Sequence, residues 1–380
     1  MLMRLPHYAV FCAVLLLAFP VAAQQTQRFS TEKAEITVET VARGLENPWS
    51  LAFLPDGRML VTERPGRLRL VGRGGAVSAP LEGVPEVAAG GQGGLLDVIL
   101  GPDFADSRLI YLSFAEPGVG GANGTAVARG RLSADGRRIE GLEVIFSQKP
   151  KIASRLHFGS RLAFGRDGTL YATTGERFGN RDMAQGLDNH LGKVIRINPD
   201  GTVPADNPFV EQAGALPEIF SYGHRNPQGM TVHPVTGRLW LHEHGARGGD
   251  EINLPEAGKN YGWPIISYGV HYSGARIGEG TARPGMEQPI HYWDPSIAPS
   301  GMAFYNRGAI SAWEGNLFVG ALAGQHLARL EIEGERVTGE EKLLGDLGAR
   351  FRDVRMGPDG HLYALTDSDE GRLLRIRPAR

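Results

Sequence analysis

The sequence is almost without cysteine. Its only one, Cys12, lies within the first 23 residues, so the chain beyond them can form neither a disulfide nor a thiolate metal site. An excess of charge is missing too. Lys and Arg number 40, Asp and Glu 42, and the formal net charge is −2, which leaves no electrostatic footprint for nucleic acid or an anionic membrane. Beyond residue 23 no apolar run is long enough to span a bilayer. No long segment carries the 3.6-residue period of an amphipathic helix. The signatures of nucleotide and serine-hydrolase chemistry are also lacking. There is no P-loop, no His-Glu-x-x-His and no Gly-x-Ser-x-Gly, and the glycine run at 118–124 has the wrong spacing for a dinucleotide fingerprint.

The first 23 residues carry Arg4, an apolar run over 8–19 and a small-residue end at Ala22 and Ala23. This is the pattern of a cleaved signal peptide, 1–23, whose apolar part is too short for an anchor. It predicts export to the periplasm or beyond, without membrane insertion. Residues 24–34 are polar and read as a flexible tail.

Glycine is abundant, at 53 residues, and proline numbers 24. Between them one phrase recurs, two short apolar strands around an Asp-Gly or Pro-Asp turn. Copies lie at 50–71, 95–114, 161–176, 229–245, 301–322 and 353–378. A β-meander cannot bury both faces alone, and six of them packed radially predict an all-β, six-bladed β-propeller with four-stranded antiparallel blades. The domain spans 35–380. The sixth copy is one strand short, and a strand at 35–41 would complete it and close the ring.

Connections leading into the inner strands converge on a propeller's axis. They carry Gln92, His157, Arg225 with Asn226, and Arg350 with Arg352. Three arginines without an acid to pair with each predict a bound polyanion with planar carboxylates. His157 is the one good general base among them. The stretch 221–263 holds two further possibilities. His242 and His244 share a strand face, but two ligands do not make a metal site, and two polar residues at a strand end is the favoured reading. Asp250 and Glu251, after the glycine-rich turn at 245–249 and before Tyr261, are read evenly as a calcium site or a solvated acidic turn.

Together, GQGGLLDVILGPDF, HFGSRLAF, SYGHRNPQGM, HGARGGDEINLPEAGKNYGWP and RFRDVRMGPDGHLYALTD resemble the soluble aldose sugar dehydrogenases that depend on pyrroloquinoline quinone (PQQ). More distantly, the chain is similar to soluble quinoprotein glucose dehydrogenase. The resemblance covers about 35–377. It implies PQQ on the propeller axis, held by Gln92, Arg225, Asn226, Arg350 and Arg352. It implies His157 as the base that removes the proton from the sugar's anomeric hydroxyl while hydride leaves C1, giving a lactone. The carbonyls of Gly245 and Ala246 would hold a calcium ion on the cofactor, Glu251 and Tyr261 a further, structural calcium, and 294–300 would lie near the cofactor edge. The implied partners are an aldose sugar and an external electron acceptor, in a monomer or homodimer. One position departs from the family pattern: Ala323, in GALAGQHL, stands where a cofactor-contacting lysine is expected. A calcium-dependent propeller lactonase and a non-catalytic binding propeller are the alternatives. The lactonase would need several carboxylates around one axial ion, where this axis gathers arginines.

Overall fold

The computed structural model describes residues 26–379; the expected signal peptide lies outside them. Six antiparallel sheets follow one another around a ring. Blade 1 begins with the strand Pro48–Phe53, blade 2 with Leu95–Leu100, blade 3 with Gly159–Phe164, blade 4 with Pro227–Val232, blade 5 with Pro299–Phe304 and blade 6 with Phe351–Met356. These six are the inner strands, and each packs on the inner strand of the next blade until the sixth meets the first.

The Asp-Gly turns work alike in three blades. Gly57, Gly168 and Gly360 take φ of 81°, 80° and 76°, a left-handed conformation that glycine adopts without a Cβ penalty. The preceding Asp56, Asp167 and Asp359 each accept a hydrogen bond from the backbone N–H two residues on, the side-chain mimic of a turn.

There is no single core. Apolar side chains gather into wedges between neighbouring blades. Leu60, Leu68, Leu95 and Val98 fill the gap between blades 1 and 2, Tyr111, Val127, Leu162 and Leu170 that between blades 2 and 3, and Trp313, Phe318, Phe351 and Leu362 that between blades 5 and 6. Each blade is therefore held by two partners and stands alone badly.

The ring closes in blade 6, where Glu35–Leu45 pairs antiparallel with Gly371–Pro378. The expected closing strand is present and extends four residues further. The expected tail is different. Thr26–Ser30 is an ordered edge strand, paired with 35–39 and making a five-stranded sheet. Polar side chains did not prevent this, because an edge strand needs only backbone partners and one covered face; Phe29 packs on the core of blade 6. Blade 1 has three regular strands. Its fourth edge is an irregular stretch in which the N–H groups of Ser78 and Leu81 donate to the carbonyls of Leu70 and Leu68.

The axis is plugged by ions. Asp97, Arg161 and Asp353 are buried at the third position of three inner strands. Arg161 Nη1 lies 3.1 Å from both carboxylates, and Arg355 bridges the same two at 3.0 and 2.9 Å. Asp97 also accepts from Leu162 N–H at 2.8 Å and Val98 N–H at 3.0 Å. Trp49 caps the cluster, 4.3 Å from the Arg161 guanidinium.

Candidate active site

All inner strands start from the same face of the ring, so the connections before them meet there, together with the residues just after each second strand. One group forms on the side of blades 2, 3 and 4. The Gln92 side-chain oxygen accepts from His157 N–H at 2.8 Å, and the Asn226 side-chain oxygen accepts from Gly159 N–H at 3.0 Å. His157 Nδ1 lies 2.9 Å from Glu176 Oε1. Arg225 Nε is 4.0 Å from the same oxygen. Its Nη1 donates to the carbonyls of His244 and Gly245, and its guanidinium sits 5.1 Å from the Trp263 ring.

The backbone here is strained. His157 has φ of 52°, and Arg177 and Phe178 have 67° and 64°, left-handed values that non-glycine residues hold only when their surroundings insist. Gly175 permits the close approach: a Cβ on it would fall 2.2 Å from the His157 carbonyl oxygen. Burial holds the His157 pKa below its ordinary value; Arg225 and Arg177 push the same way and Glu176 opposes them. The imidazole is thus neutral near pH 7, and a carboxylate at Nδ1 keeps the proton there, leaving Nε2 as a proton acceptor. Beside this pair lies a cavity of about 290 Å³ walled by Glu176, Phe178, Arg181, Arg225, Trp263 and Tyr272.

A second group gathers residues of blades 1, 4, 5 and 6. Arg352 donates to Asp367 at 2.8 Å and to Gln228 at 2.8 Å. Arg350 donates to the Leu322 carbonyl at 3.1 Å and lies 3.7 Å from Asp367, with Arg64 at 3.9 Å. The arginines therefore do have acids, against that expectation. Arg64, Arg350 and Arg352 share the one carboxylate of Asp367, and Arg225 has Glu176. A surplus of positive charge remains, and the buried donors Arg225 Nε, Asn226 Nδ2 and Arg352 Nε have no hydrogen-bond partner.

Glu176, Asp367 and Arg64 escaped the sequence reading. The signal was available: each lies one or two residues past the second strand of its blade, as do His244 and Leu322. Ala323 is exposed on this face, its N–H on the Ile297 carbonyl. In 294–300, Ala298 N–H donates to buried Asp250 at 2.7 Å, which also accepts from Gly245 N–H at 2.7 Å.

The remaining candidates lie further out in blade 4. Glu251 faces Glu243 across paired strands, and burial with the Glu243 charge pushes its carboxyl well above the usual carboxylate range. Glu243 holds His224 at 2.8 Å, and His224 stacks on Tyr261 at 4.7 Å. Two facing carboxyls with only Asn253 as donor to Glu251, at 3.0 Å, suit a cation. The Tyr261 hydroxyl is engaged by Leu254 and Glu256, so only its carbonyl is free to be a ligand. At the inner turn, the Gly245 carbonyl already accepts from Arg225, and Ala246 lines the cavity. His242 and His244 are not at the surface. His242 is fully buried with neither ring nitrogen partnered, its pKa pushed down to about 3 by burial, and His244 Nε2 meets the Pro299 carbonyl. Among the described residues no three His, Cys, Asp or Glu side chains are grouped as metal ligands, so a cation in blade 4 would draw on carbonyls and water as well.

The glucose/sorbosone dehydrogenase family model matches residues 45–375. The aldose sugar dehydrogenase of Escherichia coli (strain K12) is 50% identical over 348 residues, covering 91% of this chain and 94% of that one. A crystal structure of a glucose dehydrogenase superposes with a TM-score of 0.88 at 55% identity, over 90% of this chain and 99% of the other. The PQQ-bound form of the aldose sugar dehydrogenase of Streptomyces coelicolor gives 0.75 at 30% identity, with the same coverage. The chain belongs to the glucose/sorbosone dehydrogenase family.

Proposed function

We propose that this protein is a PQQ-dependent aldose sugar dehydrogenase that oxidises the anomeric C1–OH of its substrate to the lactone. The observation that carries this reading is the buried His157–Glu176 pair, in which Glu176 holds Nδ1 of the neutral base and, with Arg225, walls the adjoining cavity. Bound PQQ supplies a quinone that accepts the hydride from C1 and passes electrons to an external acceptor.

The residues present fit that group. Asn226 and Arg225 offer unpartnered donors, Gln92 keeps its amide N–H₂ free because its oxygen is taken by His157, and Arg350 and Arg352 bring charge that Asp367 only partly cancels. These five would hold the cofactor's carboxylates. Carbonyls of Gly245 and Ala246 would take one calcium, and Glu251 with the Tyr261 carbonyl the other. His157 Nε2 takes the hydroxyl proton, and Glu176 stabilises the imidazolium that forms. The segment 1–23 would direct the protein to the periplasm; among the described residues no helix is long and apolar enough to cross a membrane.

Apoprotein should be inactive with aldoses and an artificial acceptor, and PQQ with calcium should restore turnover. Activity in a preparation shown by mass spectrometry to lack PQQ would sink the reading. Calcium bound only by the native state stabilises it, so chelation should lower Tm; an unchanged Tm after confirmed calcium removal would remove Glu251 and Tyr261 from the ligands.

The pH profile has a defined sign. A base acts when unprotonated, so kcat is lost as pH falls through the His157 pKa. Because that value is depressed, the acid limb should lie below the ordinary histidine value of about 6.5. A limb above it, in single-turnover reduction with saturating sugar, would exclude His157 as the titrating group.

A further inference from the structure

Arg177 stands between the two residues that touch the His157 ring. Glu176 precedes it and meets Nδ1 at 2.9 Å. Phe178 follows it and packs edge-on against the imidazole, with ring centroids 5.3 Å apart. Arg177 itself is 1% exposed, and among the described residues no carboxylate lies within ion-pair distance of its guanidinium. Instead the guanidinium carbon lies 3.6 Å from the centre of the Phe158 ring. Its Nη2 donates to the Asn123 side-chain oxygen and to the Ser154 carbonyl. Ser154 Oγ in turn donates to the Arg177 carbonyl at 3.0 Å.

A buried guanidinium without a counter-ion is costly, and so is a two-residue left-handed step in non-glycine backbone. Both occur at this one place. Ser154 and Phe158 belong to the segment that carries His157, so Arg177 staples the base's own segment to the turn that carries its partner. The titratable and charged groups facing His157 are Glu176 and Arg177 from blade 3, and Arg225 and His244 from blade 4, the histidine held neutral by burial; blade 2 presents the neutral Gln92.

We propose that Arg177 is a positioning residue, which fixes the Glu176–Phe178 turn against the His157 segment and thereby holds the imidazole in the single tautomer with its proton on Nδ1. The inference rests on the reading of His157 as the base. Lysine cannot replace it, because the contact needs a flat group that stacks and donates at once.

The test uses Arg177→Met and Arg177→Lys in the full protein. Histidine ¹⁵N shifts, assigned with His157→Gln, report the tautomer in apoprotein without cofactor or sugar. Rapid-mixing reduction with PQQ and calcium reports kcat and KM. Misplacing a catalytic group by about an ångström costs on the order of 100-fold. Both variants should therefore lose roughly 30- to 100-fold in kcat with KM changed by less than about twofold, and lose the single Nδ1–H signature. A tautomer unchanged in Arg177→Met overturns the proposal, whether or not kcat falls. A lost tautomer with kcat intact upholds the staple and sinks His157 as the base, and inactive wild-type enzyme counts against the proposed function alone. If Arg177→Met does not fold, Asn123→Ala removes one anchor and keeps the arginine. It should weaken the same signature, with roughly a 3- to 10-fold loss in kcat, and its failure to move either readout overturns the proposal.

Discussion

His157→Ala should lose two to four orders of magnitude in kcat, the range a positioned general base contributes. The expectation follows from geometry. Nδ1 is committed to Glu176 at 2.9 Å, the backbone N–H is committed to Gln92 at 2.8 Å, and Nε2 alone is left to accept a proton. Alanine preserves the backbone contact to Gln92 and leaves the arginines of both groups in place, so PQQ binding should survive. Saturating sugar and preloaded cofactor isolate the proton-transfer step in the reductive half-reaction. Reduction at near wild-type speed would mean that another residue is the base. A variant that cannot load PQQ would mean that His157 serves structure.

The second large effect is on stability. Asp97→Ala should cost about 3–5 kcal/mol, the usual penalty for stripping one partner from a buried ion cluster, and Tm should fall by roughly 4–7 °C for a domain of this size. Asp97 is 0% exposed and neutralises Arg161 and Arg355 together. Its removal leaves Asp353 to balance two guanidinium groups, and Leu162 N–H without an acceptor. Because inner strands of blades 2, 3 and 6 meet through this cluster, the loss is felt around the axis and not in one blade. A fall in Tm below about 2 °C, at matched scan rate, would show that the cluster contributes little.

Much of the fold was legible because a propeller repeats itself. Six meanders, four of them around an Asp-Gly or Pro-Asp turn, set the blade number, and the missing strand of the sixth predicted a closing strand at 35–41, which in the structure runs to Leu45 and pairs with 371–378. The edge strand Thr26–Ser30 was not legible, since its polar residues carry no alternation and its order comes from backbone pairing with a strand already in place. In the site, residues before the inner strands were found by aligning the copies. Glu176 and Asp367 were missed because only one end of each hairpin was compared, although both ends reach the same face. The axial cluster shows the same limit. The third residues of the inner strands are Ser50, Asp97, Arg161, Gly229, Gly301 and Asp353, and each charge looks like an isolated intrusion into an apolar strand until the six are viewed as one ring. Distances between residues from different copies decide which charges cancel, and spacing along the chain carries no such information.

The closing sheet has a consequence for synthesis. Blades 1 to 5 are each built from strands contiguous in the chain, whereas blade 6 joins Glu35–Leu45 to Gly371–Pro378. The early strand must therefore wait for its partner until residues 371–378 are made. A product that stops short of residue 371 leaves the inner edge of 35–45 without its partner and a gap in the ring, the kind of surface that aggregates or draws proteases. The seam thus acts as a check on synthesis: only a chain that reaches Gly371–Pro378 can cover the inner edge of Glu35–Leu45.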